Sequence, residues 1–88
     1  MTRFVRAADV GVIDDGIRVF AAALPDGPIV VLAGIAAAVW RSAPGRDVEA
    51  LAAQLIEDGT CTEGDAHSDA ALFTHALIDV KLLHEEED

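Results

Sequence analysis

The chain has 88 residues, 52% of them hydrophobic, with six Lys and Arg against sixteen Asp and Glu, a net charge of −10. That length holds one hydrophobic core rather than two, and the apolar fraction is ample to fill it, which excludes disorder outside the ends. The acidic balance argues against nucleic acid and against an anionic membrane surface, because both reward cations that meet phosphates. It favours instead a partner that carries Lys or Arg.

The N-terminus, Met1-Thr-Arg-Phe-Val-Arg6, has two cations but no following apolar run of signal-peptide length. Residues 10–14, the pair Asp15-Gly16 and then Ile17 to Ala22 predict a β-hairpin, since Gly tolerates the positive φ of a two-residue turn. Leu24-Pro-Asp-Gly-Pro28 is the next turn, with Pro25 presetting φ and Gly27 at the flexible position. Ile29 to Leu32 is a third strand, and the short connections predict an antiparallel meander. A short apolar strand at the end of a meander is an expected sheet edge, and exposed edges recruit other chains.

From Gly34 the pattern becomes helical, with Ile35, Ala36, Val39 and Trp40 on one face and Trp40 expected in the core. Pro44-Gly45 ends this helix, and the flanking Arg41 and Arg46 are expected to be solvated. Asp47 is the expected N-cap of a second helix, in which Val48, Leu51, Ala52, Leu55 and Ile56 form the apolar stripe. The polar segment from Gly59 to Asp65 reads as a loop. Ser68 or Asp69 is expected to cap a third helix to about Val80, with Ala70, Phe73, Ala76, Leu77 and Val80 on one face. The acidic Glu85 to Asp88 is expected to be a frayed tail. The order β-β-β-α-α-α predicts a single α+β, winged-helix-like domain. The longest apolar run, Ile29 to Trp40, is twelve residues, short of the roughly eighteen a membrane span requires.

Motifs that carry chemistry are sparse. His67, His75, His84 and Cys61 match no compact zinc spacing, so solvated histidines are the expectation, with no metal and no cofactor. Cys61 lies beside Glu63 and Asp65, anions that disfavour a thiolate, which predicts an inert thiol. A lone cysteine permits no internal disulfide, and a reducing cytoplasm is the default compartment. Carboxylate pairs such as Asp14 with Asp15, or Glu57 with Asp58, come with no sign of a cleft that would split their pKa values. A P-loop, a G-x-G-x-x-G and the Gly-Asp-Ser-Leu of acyl carriers are all missing from the sequence, so an enzyme is not expected. The third helix is apolar beyond a single stripe. Phe73 and Leu77 are expected in the core, while Leu72, Ala76 and Asp79, beside the third strand, are candidates to line a groove.

The order of elements and three local patterns resemble a known family. Leu32-Ala-Gly-Ile-Ala-Ala-Ala-Val-Trp40 is similar to its Leu-x-x-x-Ala-Ala-x-Ile-Trp segment. Asp47-Val-Glu-Ala-Leu-Ala-Ala-Gln-Leu55 resembles its Thr-Val-x-Glu-Leu-Ala helix, and Asp69-Ala-Ala-Leu-Phe-Thr-His-Ala-Leu77, closing on Leu82-Leu83, resembles its last helix. The family is that of pyrroloquinoline quinone biosynthesis protein D, the precursor-peptide recognition elements of ribosomal peptide natural products. The resemblance covers roughly residues 4 to 84. The departures are Lys81 where the family usually has Gly, Thr74 in place of an apolar residue, and Pro44 in the turn.

The resemblance implies a module that binds the leader segment of a precursor peptide as an added antiparallel strand. It implies that the module hands the peptide to a separate modifying enzyme or protease and does no chemistry itself. Carried over by position, the strand is Ile29, Val30, Val31 and Leu32, with Leu72, Phe73, Ala76 and Val80 as the helix wall and Asp79 on its flank. Two rivals remain at this point. One is a winged-helix DNA-binding regulator, opposed by a third helix that lacks Lys and Arg from Asp69 to Val80. The other is a different adaptor, or a homodimer paired through the edge strand.

Overall fold

Alternating side chains in Thr2-Arg-Phe-Val-Arg6 send Phe4 inward, where it is buried, and in the computed structural model, which describes residues 2–87, this segment is strand β1 (Thr2–Arg6). After a turn come β2 (Val10–Asp14), β3 (Val19–Ala23) and β4 (Val30–Leu32), then helices α1 (Ile35–Ser42), α2 (Val48–Glu57) and α3 (Ala66–Asp79), and finally β5 (Leu83–Glu87). Strands β2-β3-β4 form an antiparallel sheet in that order, followed by three helices, the expected α+β arrangement. A second, two-stranded sheet pairs β1 with β5, from Thr2↔Glu87 to Arg6↔Leu83.

That second sheet corrects the expectation of a frayed acidic tail. Residues 85–87 are the end of β5, held by β1 and by side-chain bonds from Thr2 to Glu87 and from Arg3 to Glu86; Asp88 lies outside the described residues. The physical reason is placement. Leu82 and Leu83, both fully buried, anchor the chain beneath β1, and the acidic residues that follow keep their side chains in solvent while their backbone pairs. The other side of β1 is occupied by the 44–46 segment, with Phe4 N–H donating to Arg46 O and Gly45 N–H to Phe4 O, each at 2.8 Å.

The first hairpin turns one residue later than Asp15-Gly16. Asp15 N–H donates to Arg18 O at 3.1 Å, so Gly16 and Ile17 are the turn residues and β3 starts at Val19. Gly16 takes φ +91°, and the Asp15 carboxylate fixes the loop by accepting from the Ile17 and Arg18 amides. In the second turn Gly27 approaches the chain closely. A Cβ there would sit 2.3 Å from Ala23 O, which itself accepts from Gly27 N–H.

Asp47 caps α2 as expected, its carboxylate accepting from Ala50 N–H at 2.8 Å. Leu51, Ala52 and Leu55 are buried, but Ile56 is 39% exposed, at the rim of the stripe. Helix α3 begins at Ala66, ahead of Ser68 and Asp69, and its buried line is Ala66, Ala70, Thr74 and Leu77. The expected face is therefore rotated: Ala76 and Val80 are exposed and Phe73 is half-buried. Thr74 enters the core because its hydroxyl donates to Ala70 O at 2.7 Å, which removes the penalty of an unpaired polar group. Trp40 is buried as expected, with the Arg6 guanidinium 4.5 Å from its ring centroid.

Helix α3 ends in a Schellman motif. Leu82 N–H donates to Leu77 O and Lys81 N–H to Ile78 O, which puts Lys81 at φ +68°. A lysine here carries a Cβ into the left-handed region that glycine occupies at no steric cost. Lys81→Gly is expected to raise stability by roughly 0.5–1 kcal/mol, seen as a higher urea midpoint at unchanged slope. A lower midpoint would show that the Lys81 side chain outweighs the backbone strain.

Candidate functional site

Two hydrogen bonds bracket the β2–β3 ladder and fix the direction of every backbone group in the sheet. Leu24 N–H donates to Asp9 O at 2.7 Å, and Asp15 N–H donates to Arg18 O at 3.1 Å. In the observed register these ends have the same parity, so Gly11↔Ala22 and Ile13↔Phe20 are the hydrogen-bonded pairs and even-numbered β3 residues face β2. Val19 and Ala21 then face β4, where they meet Leu32 and Val30. Val31, opposite Phe20, directs its N–H and C=O away from the sheet, while Ile29, expected to begin this strand, lies just outside the paired residues Val30–Leu32. Strand β4 is thus the edge that its position in the meander predicts.

The side chains follow the same parity. Leu32 is buried and belongs to the core, Val30 is half-buried on the inner face, and Ile29 and Val31 are 73% and 53% exposed on the outer one. On α3, Leu72, Ala76, Asp79 and Val80 are all exposed, with spacings that place them along one side of the helix, and Phe73 beside them packs against the core. The helix packed against β4 is α1, whereas α3 packs on α2, α1 and β5. Surface depressions lie elsewhere: one of about 200 Å³ between α3, β1 and β5, floored by Phe4 and Ile78, and one on the outer face of β2 and β3. Neither brings β4 together with the exposed side of α3.

Arg41, expected to be solvated, is the tie between the sheet and α1. Its Nε and one terminal nitrogen donate to the two Asp14 oxygens at 2.9 and 2.6 Å. Arg46 also finds partners, donating to Ser42 O and to Gln54. Burial pushes the Cys61 thiol pKa up, and so do Asp69, 3.6 Å from the sulfur, and the expected Asp65, so the local anions are Asp69 and Asp65, without Glu63. Among the described residues, no group of three or more His, Cys, Asp or Glu is placed to hold a metal ion, and no helix is long and apolar enough to cross a membrane.

The sequence reading missed the outer face of the sheet, where Ile13, Phe20, Leu24, Ile29 and Val31 are grouped. The signal was present: residues 10–14 and 19–23 are apolar on both parities, more than a half-buried sheet needs. No family model, no curated protein and no solved structure matches the chain.

The Asp14–Arg41 tie has a measurable signature. The Arg41 hydrogen bonds, and then the Gly16 amide, lower the Asp14 pKa from 3.8 to about 2. A carboxylate lowered on folding contributes stability that is complete above 3.8 and is lost as the pH falls toward 2. NMR titration is expected to give an Asp14 midpoint near 2, and Arg41→Gln to return it toward 3.8. An Asp14 midpoint that ignores Arg41→Gln would disprove the tie in solution.

Proposed function

We propose that this protein binds the leader segment of a ribosomally made precursor peptide as an added antiparallel strand on β4. In this reading it acts in the cytoplasm and presents the peptide to a separate modifying enzyme or leader protease. The observation that carries the reading is the outward N–H and C=O of Val31 on an edge strand without a charged residue. Edges that are not meant to pair are usually blunted by charge, proline or a cover. The resemblance of residues 4 to 84 to the pyrroloquinoline quinone biosynthesis protein D family points to the same mode.

The energetics are of the right size. Two bonds at Val31, with two or three more where a bound peptide extends the pairing past the ends of β4, contribute roughly 1 kcal/mol each. Two or three apolar leader side chains, set against Val30 on one face and Val31 on the other, add about 2 kcal/mol apiece. Ordering a flexible peptide and losing free motion offset several kcal/mol, so micromolar or tighter affinity requires pockets and charge that complement the leader as well. Main-chain pairing sets the register, and alternate side chains set the choice of sequence. Leu72, Ala76, Asp79 and Val80 lie on the exposed side of α3, which does not pack against β4, so the pairing at β4 is argued without them. A leader rich in Lys or Arg is steered in by the net charge of −10.

The test is fluorescence anisotropy with labelled leader peptides of precursors encoded beside this protein. Saturable binding that weakens with salt is expected, and its absence for every such precursor overturns the reading. Val31→Pro removes a donor that the fold does not use, so affinity is expected to drop roughly 5- to 30-fold, about 1–2 kcal/mol, while the thermal midpoint moves little. Full affinity in a folded Val31→Pro variant would exclude β4 as the pairing edge.

A further inference from the structure

Independently of peptide capture, we infer that the outer face of the β2-β3-β4 sheet is the contact surface for a second copy of this chain, stacked face to face. By strand alternation Val19, Ala21 and Leu32 turn inward and are buried, so Ile13, Phe20, Ala22 and Val31 turn outward, with Leu24 and Ile29 at the same level. Ile13 is 69%, Leu24 55%, Ile29 73% and Val31 53% exposed. Gly11 leaves a notch over which Leu24 folds (a Cβ at Gly11 would lie 3.3 Å from Leu24 Cδ1), and the result is an apolar depression of about 420 Å³. The face exposes on the order of 500 Å² of apolar surface, toward the upper end of the roughly 300–600 Å² that the largest patch on a typical monomer presents. Two such faces bury about 1,000 Å², the lower limit for a specific interface, so the dimer is a weak one.

Charge decides the orientation. At the β2–β3 turn Asp14 is neutralised by Arg41, Asp15 lies 3.9 Å from Arg18, and the Arg18 guanidinium lies 5.5 Å from the Phe20 centroid, over the outer face. The opposite end of the sheet carries Asp9 and Asp26 without a Lys or Arg in the turns that hold them. A two-fold axis lying in the interface and crossing the strands places each Arg18 end over the other copy's Asp9 and Asp26 end. The alternative axis, along the strands, sets aspartate against aspartate. Sheets stacked in this way sit about 10 Å apart with interdigitated side chains.

Sedimentation equilibrium of the full chain between 5 and 500 µM tests the inference. The mass is expected to rise from one chain toward two, half-associated at roughly 10–100 µM. Association is expected to strengthen from 0.05 to 0.5 M NaCl, because salt screens the repulsion of two chains of charge −10. Ile13→Asp and Ile13→Lys place a charge of either sign on the face, and both are expected to weaken association at least tenfold. Ala53→Glu, on the exposed side of α2, is expected to leave it unchanged. Independently of any variant, the amides of Ile13, Phe20 and Leu24 are expected to shift with concentration in NMR spectra. A monomer at every concentration overturns the inference and frees the face for a different protein. A dimer indifferent to both Ile13 variants, or one lost only in Val31→Pro, places the contact elsewhere and overturns it too.

Discussion

The alternation of hydrogen-bonded and non-hydrogen-bonded pairs through β2, β3 and β4 is the constraint on which the rest of the molecule depends. In the observed register it buries Val19, Ala21 and Leu32 against the helices and turns Ile13, Phe20 and Val31 to solvent. A slip of one residue would exchange the two sets. Because both sets are apolar, hydrophobic burial alone discriminates weakly between the registers, and polar contacts settle it. The Asp15 carboxylate accepts from two loop amides, Gly16 supplies the positive φ, and Asp14 holds Arg41 of α1. The last of these contacts ties the register to the helical layer, so the sheet cannot shift without losing a bidentate ion pair.

The molecule treats its strand edges unequally. β1 has β5 on one side and the 44–46 segment on the other. β5 presents His84, Glu85, Glu86 and Glu87, a run of charge that repels an approaching acidic chain and discourages pairing. β2 ends in Asp14, whose side chain is engaged by Arg41. β4 is short and carries only Val30, Val31 and Leu32. β2 and β4 are thus the two outer strands of the three-stranded sheet, and β4 is the one that carries no charged side chain.

The central architecture was legible in the sequence because its signals are local. The Pro25 to Pro28 turn, the Asp47 cap, and the periodic runs of α1 and α2 each announce themselves within a few residues. β1 and β5 were not legible, because strands paired across some eighty residues have no local turn to link them, and four consecutive acidic residues read as a solvated tail. The burial of α3 was misjudged through Thr74. A hydroxyl that bonds the preceding turn behaves as a core residue, and once it faces inward Ala76 and Val80 must face out. Of the candidate site, β4 was found by its place in the meander. The outward direction of Val31 was not, since it follows from a register that only coordinates supply.

The proposed strand pairing at β4 and the inferred stacking on the outer face use perpendicular directions of one sheet, and they meet only at the side chain of Val31. The N–H and C=O of Val31 lie in the plane of the sheet, whereas its side chain and those of Phe20 and Ile13 stand normal to it. A second sheet stacked on the normal leaves the in-plane groups untouched. Rotation about an axis that crosses the strands also preserves the order β2-β3-β4, so the two β4 edges come to lie above one another on the same side of the sandwich, running in opposite directions. In that arrangement the two β4 edges lie about 10 Å apart, the spacing of stacked sheets.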